Sequence, residues 1–201
     1  MKAMVIVVLI FSFLVIEAKD NKVLSDEIDL SLSLVGYYKF DENSAKDYSG
    51  NNNNAVIVNN LQFRDTQFGR TPFFEGSDDA NQNSGWVRLP GFRFEDWDEF
   101  TIALWVYEEG MTREDGSAYI AWGDGAHTGW LGIWNHWSRP RLNFRNHIQV
   151  GVGVDWSQTN NPNLLPLVFE FDQNEYRDKW IHHTLIYKNN ELRYYRNGQF
   201  L

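Results

Sequence analysis

Cysteine is absent from the 201-residue chain. Disulfide staples, thiolate nucleophiles and cysteine-held zinc or iron–sulfur centres are therefore excluded by inventory. Positive charge is also scarce, with 18 Lys and Arg against 27 Asp and Glu and a formal charge of −9. No basic run gathers the cations into a patch, so a phosphate backbone would be repelled and nucleic acid is disfavoured as a partner. Helix-period stretches, internal repeats and coiled-coil heptads are missing too. Aromatic residues are abundant: nine Trp, nine Tyr and fourteen Phe. That much apolar surface does not belong to a disordered chain, and the length allows one domain with appendages.

One long apolar run exists. Lys2 is followed by Ala3 to Ile16, polar only at Ser12, and polarity returns at Glu17-Ala18-Lys19-Asp20. A membrane helix needs about 20 apolar residues, whereas the apolar core of a signal peptide needs roughly 7–15. Residues 1–18 therefore read as a signal peptide with cleavage after Ala18, although Ile16 is larger than the small residue usual there. An uncleaved anchor is the alternative. Either way the remainder is exported, to the medium, the cell surface or a periplasm, with no membrane span left after cleavage. Export without cysteine suits a bacterial surface or periplasm better than a disulfide-rich extracellular module. Residues 19–33, polar and poorly periodic, read as a linker to a domain over 34–201.

Beyond residue 33, short apolar and aromatic runs alternate with Gly, Asn, Asp and Pro clusters about every ten residues, the pattern of an all-β sandwich or barrel. Strands are predicted at Leu34–Phe40, Ala55–Val58, Thr71–Glu75, Trp86–Leu89, Phe100–Tyr107, Ala118–Trp122, Trp130–Trp134, Arg141–Phe144, Gln149–Asp155, Val168–Phe171, Trp180–Tyr187 and Leu192–Tyr195. In the fifth of these, Phe100, Ile102, Leu104 and Val106 share one pleat face and should be core. Asn197-Gly198 supplies the positive φ angles of a type I′ hairpin turn. Only Gln199, Phe200 and Leu201 follow it, so the last strands of the sheet are expected to be missing.

Five motifs resemble, in order, those of the laminin G-like, concanavalin A-like jelly-roll family. They are Leu34–Glu42 with Asp47–Ala55; Phe68-Gly69-Arg70 with Phe74–Asp79; Trp86–Pro90; Phe100–Val106; and Trp180–Tyr187 with Leu192–Gly198. The resemblance implies two antiparallel sheets packed face to face as a β-sandwich, lacking the strands that in the family follow the Asn-Gly hairpin. Some members hold a structural cation near the first loop, and Asp41 and Asp47 stand at its acidic positions.

Catalytic signatures are missing. The nearest string to a glucanase carboxylate motif, Glu27-Ile28-Asp29, lies in the linker without its closing Glu. Glu108-Glu109 and Glu114-Asp115 read as solvated loop carboxylates. His182 and His183 are neighbours in a strand and point to opposite faces, so they cannot share a metal. His183 goes with Ile181, Leu185 and Tyr187 towards the core. The chain is expected not to be an enzyme.

Two features remain for ligand chemistry. Asp41, Glu42, Asn43, Asp47, Ser49 and Asn51 crowd oxygen donors into one loop, which reads either as an irregular structural calcium site built on Asp41, Asp47 and Asn51 or as an Asn/Asp turn whose side chains cap backbone amides. Residues 122–156 hold five of the nine Trp, interleaved with His and Arg. An exposed indole stacks on the C–H face of a sugar ring while Arg, His and Asn bond its hydroxyls; the alternative is that these rings fill the core. Trp130, Trp134, His136, Trp137, Arg139 and Arg141 are the candidate ligand-binding residues, with Trp137 read as sitting in a turn, whereas Trp105 and Trp180 are read as packing residues. The expectation is an exported lectin-like module binding a glycan or surface glycoprotein. A protein-adhesion module and an accessory domain of a secreted glycoside hydrolase are the alternatives.

Overall fold

The computed structural model describes residues 2–8, 34–75, 85–92, 97–109, 117–122, 130–139, 144–154, 167–170, 178–188 and 191–201. These form an all-β fold with thirteen strands and no helix among the described residues. None is therefore long and apolar enough to cross a membrane. The strands are β1 (Lys2–Val8), β2 (Val56–Val58), β3 (Gln62–Thr66), β4 (Gly69–Glu75), β5 (Trp86–Arg88), β6 (Glu99–Glu109), β7 (Ser117–Trp122), β8 (Trp130–Arg139), β9 (Phe144–Val154), β10 (Leu167–Glu170), β11 (Trp180–Lys188), β12 (Glu191–Arg196) and β13 (Gln199–Phe200). A seven-stranded sheet runs β13-β12-β11-β6-β1-β4-β3, a four-stranded sheet runs β10-β9-β8-β7, and β2 pairs with β5. Every described pairing is antiparallel.

The period-2 pattern of β6 organises the interior. Phe100, Ile102, Leu104 and Val106 are buried as expected. Opposite them on β11, Ile181, His183 and Leu185 are buried on the same face, with Tyr187 partly buried beside Phe100. Tyr119 and Ile120 of β7 and Ile133 of β8 join the same cluster. The four-stranded sheet thus contributes to the core of the larger one. Each fully buried aliphatic or aromatic side chain supplies about 1.5–3 kcal/mol of driving force. Consecutive burial of Tyr119 and Ile120 is possible because the β7–β8 register shifts between Ala118 and Ile120, turning one extra side chain inward.

Several expectations need correction. Leu34–Phe40 is not a strand. Its one ladder contact is the isolated bridge Tyr38↔Asp47, because the Tyr37 N–H donates to the Asp47 carboxylate instead of a neighbouring carbonyl and Phe40 adopts φ 66°, which ends extended backbone. Gln62–Thr66, outside every predicted strand, is strand β3, held by β4 from Gln62↔Phe73 to Thr66↔Gly69. Trp137 does not sit in a turn. Strand β8 continues through it to Arg139↔Phe144, since polar side chains do not stop a ladder and the first residue without an N–H is Pro140. Arg141 lies outside the described residues.

Two glycines carry the backbone where other residues would not. Gly85 precedes β5 so closely against Leu61 that an added Cβ would fall 2.4 Å from the Leu61 Cα. In the β12–β13 hairpin Asn197 has φ 48° and Gly198 φ 79°, the type I′ turn that the sequence predicts. Nothing lies near a Cβ built on Gly198, so Gly198→Ala should cost about 1 kcal/mol from backbone strain alone. Urea unfolding checks this, and an unchanged midpoint would contradict it.

Candidate ligand-binding face

The alternation that buries one face of β6 and β11 turns a second set of side chains outward. In register, Trp180 stands opposite Tyr107, His182 opposite Trp105, Thr184 opposite Ala103, Ile186 opposite Thr101, and Lys188 opposite Glu99. The first two pairs are in ring contact: Tyr107 and Trp180 have centroids 5.4 Å apart, and Trp105 and His182 are 4.9 Å apart. Phe68, delivered by the turn between β3 and β4, completes the group at 5.3 Å from Trp105 and 5.1 Å from Trp180. It is 45% exposed. Beside this ring cluster the same face carries the buried Ala103, then Thr184, Thr101 and Ile186, with the Lys188–Glu99 ion pair, 2.9 Å, at the far end.

Both indoles are half-buried and neither belongs to the core cluster. They pack, as expected, but against the other rings of this face and not in the core cluster. The polar groups of the face are also defined. Thr184 Oγ1 lies 3.3 Å from His182 Nδ1, and burial holds the His182 pKa below its usual value. The ring is therefore uncharged at neutral pH. The Tyr107 phenol is raised by burial and then by the charges of Asp178 and Glu109, which places carboxylates at the rim. An edge-rich aromatic surface with one neutral imidazole can stack a sugar ring and bond a hydroxyl.

On the opposite side of β11, His183 is fully buried. Its Nδ1 lies 2.6 Å from the Tyr194 hydroxyl, its ring packs against Tyr119, and the Tyr119 hydroxyl donates to the buried Glu108 carboxylate. Tyr119, His183, Tyr194 and Glu108 are all buried, so this cluster reads as interior structure linking the sheets. The predicted separation of the two histidines onto opposite faces is observed.

The Asp41–Asn54 loop is organised around one carboxylate. Asp47 Oδ1 accepts from the Tyr37 N–H at 2.9 Å and the Ser49 N–H at 2.8 Å. Oδ2 accepts from the Ser49 hydroxyl at 2.7 Å and the Asn53 N–H at 2.9 Å. Burial pushes the Asp47 carboxyl up, but these four donors outweigh it and hold it below the usual carboxylate range. Asn51 donates its amide to the Leu34 carbonyl and to Ser49 Oγ, while Asp41 is exposed. Capping of backbone amides, one of the two readings of this loop, accounts for the geometry around Asp47. Among the described residues no three His, Asp or Glu side chains are grouped as a metal would require.

The backbone places Trp130, Trp134, His136, Trp137 and Arg139 along β8, with Trp134 between Ala118 of β7 and Gln149 of β9 and His136 opposite His147. Their side chains lie outside the described part of the structure. These residues belong to the four-stranded sheet, and the ring cluster to the seven-stranded one. Phe68, Tyr107 and His182 were not singled out from the sequence. The signal for Tyr107 and His182 was present, because burying Phe100–Val106 and Ile181–Leu185 in alternation obliges Trp105, Tyr107, Trp180 and His182 to face outward. Phe68 arrives by hairpin geometry and left no such trace.

Compared with protein-family models, with curated proteins and with solved structures, the chain matches none.

Proposed function

We propose that the chain is an exported, non-catalytic carbohydrate-binding module built as a two-sheet β-sandwich of the jelly-roll kind that its motifs resemble. The observation that carries this reading is the solvent-side cluster of Phe68, Trp105, Tyr107, Trp180 and His182. The single buried cluster shared by the four- and seven-stranded sheets supports the sandwich. The carboxylate rim favours uncharged sugars over uronic acid or sulfated chains.

Glycan-array screening followed by calorimetric titration of the full chain tests the proposal. Trp105→Ala should weaken sugar binding at least tenfold, about 1.4 kcal/mol, by removing a stacking surface. Trp137→Ala tests whether β8 contributes a second site. Absence of any glycan ligand, or retention of full affinity in both variants, would sink the reading. Capture of a protein by the same face would instead assign the chain to adhesion.

A calcium ion on Asp41, Asp47 and Asn51 is the optional part of the proposal, since it must compete with four protein donors for the Asp47 oxygens. Melting curves in chelator and in millimolar Ca²⁺ decide it: a raised Tm marks a site, and coincident curves show a loop held by its own hydrogen bonds.

A further inference from the structure

Residues 2–8, part of the segment read as a leader, occupy a strand position inside the seven-stranded sheet. Strand β1 lies along β6 from Lys2↔Glu109 to Val8↔Ala103, and meets β4 at Lys2↔Glu75, Ala3↔Phe74 and Met4↔Phe73. It is antiparallel to both. Two strands each antiparallel to a third run parallel to one another, so β4 and β6 cannot close on each other in the pairing used everywhere else in this sheet. They stand two strand spacings apart, roughly 10 Å. Beside the seat, Phe73, Ala103, Leu104 and Val106 are buried. Withdrawal of β1 therefore creates an edge in the middle of a sheet, with a row of N–H and C=O groups and no strand to pair them.

We propose that this position is a strand acceptor. Residues 2–8 fill it in the full-length chain, and removal of the leader passes it to an extended apolar segment of a second polypeptide bound antiparallel to β6. The resident segment defines the chemistry accepted: Lys-Ala-Met-Val-Ile-Val-Val contains no proline or glycine and ends in four β-branched residues. Such a strand donates and accepts along both sides of its backbone. Main-chain pairing supplies affinity and alternate side chains supply selectivity. This inference rests on residues 1–18 being a leader and is independent of the sugar reading.

The test uses the full chain with a protease site inserted after Ala18, folded first and cut afterwards. A fluorescent peptide of residues 2–8 should exchange into the cut protein saturably, and Tm should rise with peptide concentration. The same peptide carrying Val5→Pro and Ile6→Pro, which loses one N–H on each side, should bind at least tenfold more weakly. Equal uptake of both peptides, or uptake of neither, overturns the proposal. Because cutting could unfold the protein, the uncut chain carrying Val5→Pro and Ile6→Pro is measured as well. Hydrogen exchange should accelerate at least tenfold at residues 73–75 and 103–109 while 191–196 stays protected, and unchanged exchange overturns the proposal. Intact mass of the exported protein separates the two layers. A mass lacking residues 1–18 supports the transfer, whereas one retaining them overturns the leader reading and the transfer with it, leaving the glycan titration untouched.

Discussion

Acidification from pH 7 to pH 4.5 should remove about 2.5 kcal/mol of folding stability through His183 alone. This imidazole is fully buried, and burial, then the neighbouring His182 and Arg196, lower its pKa from 6.5 to about 3. Protonation would need an acceptor at each ring nitrogen. Nδ1 has the Tyr194 oxygen, but Nε2 is buried without a hydrogen-bond partner. The folded state therefore stays neutral while the unfolded chain takes up a proton. The unfolded state binds more protons below pH 6.5, so stability rises with pH there. The contribution is complete above that value and is lost as pH falls towards 3, at about 1.4 kcal/mol per unit. Urea titrations at successive pH values measure the slope, and His183→Leu should flatten it. A variant that keeps the wild-type slope would show that another group carries it.

Asp47→Asn should cost about 3 kcal/mol despite changing a single atom, since it opposes donors to donors around a buried acceptor. If the amide nitrogen replaces Oδ1 it meets the N–H groups of Tyr37 and Ser49; if it replaces Oδ2 it meets that of Asn53. No flip satisfies the site. For a chain of this size the loss corresponds to a fall in Tm of about 6–12 °C. Protonating the wild-type carboxyl does the same thing. Because its folded pKa is depressed below 3.8, the stabilisation is present above that value and disappears as pH falls below it. Acid unfolding should therefore proceed in two windows, His183 first and Asp47 at lower pH. An Asp47→Asn melt within about 2 °C of wild type would contradict this account.

The all-β class was legible from short apolar runs between turn clusters, and most clearly from the period-2 alternation of Phe100, Ile102, Leu104 and Val106 on one face. The Asn197-Gly198 turn was legible for a local reason, its φ angles. What escaped were features decided by distant partners. Gln62–Thr66 is polar, yet β4 supplies its ladder. Leu34–Phe40 looks like a strand, yet a carboxylate ten residues away takes its N–H. For the candidate face, the two indoles were visible as packing residues on motif position, and the alternation of their own strands shows which face they pack on. The contribution of Phe68 depends on where a hairpin tip lands, which spacing does not encode.

The placement of β6 has a consequence for the order in which the molecule can form. One of its neighbours, β11, comes only after four intervening strands among the described residues, so the central ladder Tyr107↔Trp180 to Glu99↔Lys188 cannot begin until synthesis has passed Trp180. Such distant closure is slow relative to local hairpins. Until then the neighbouring strands β3–β4, β7–β8 and β8–β9 have partners close by in the chain, while one side of β6 waits for that ladder to close.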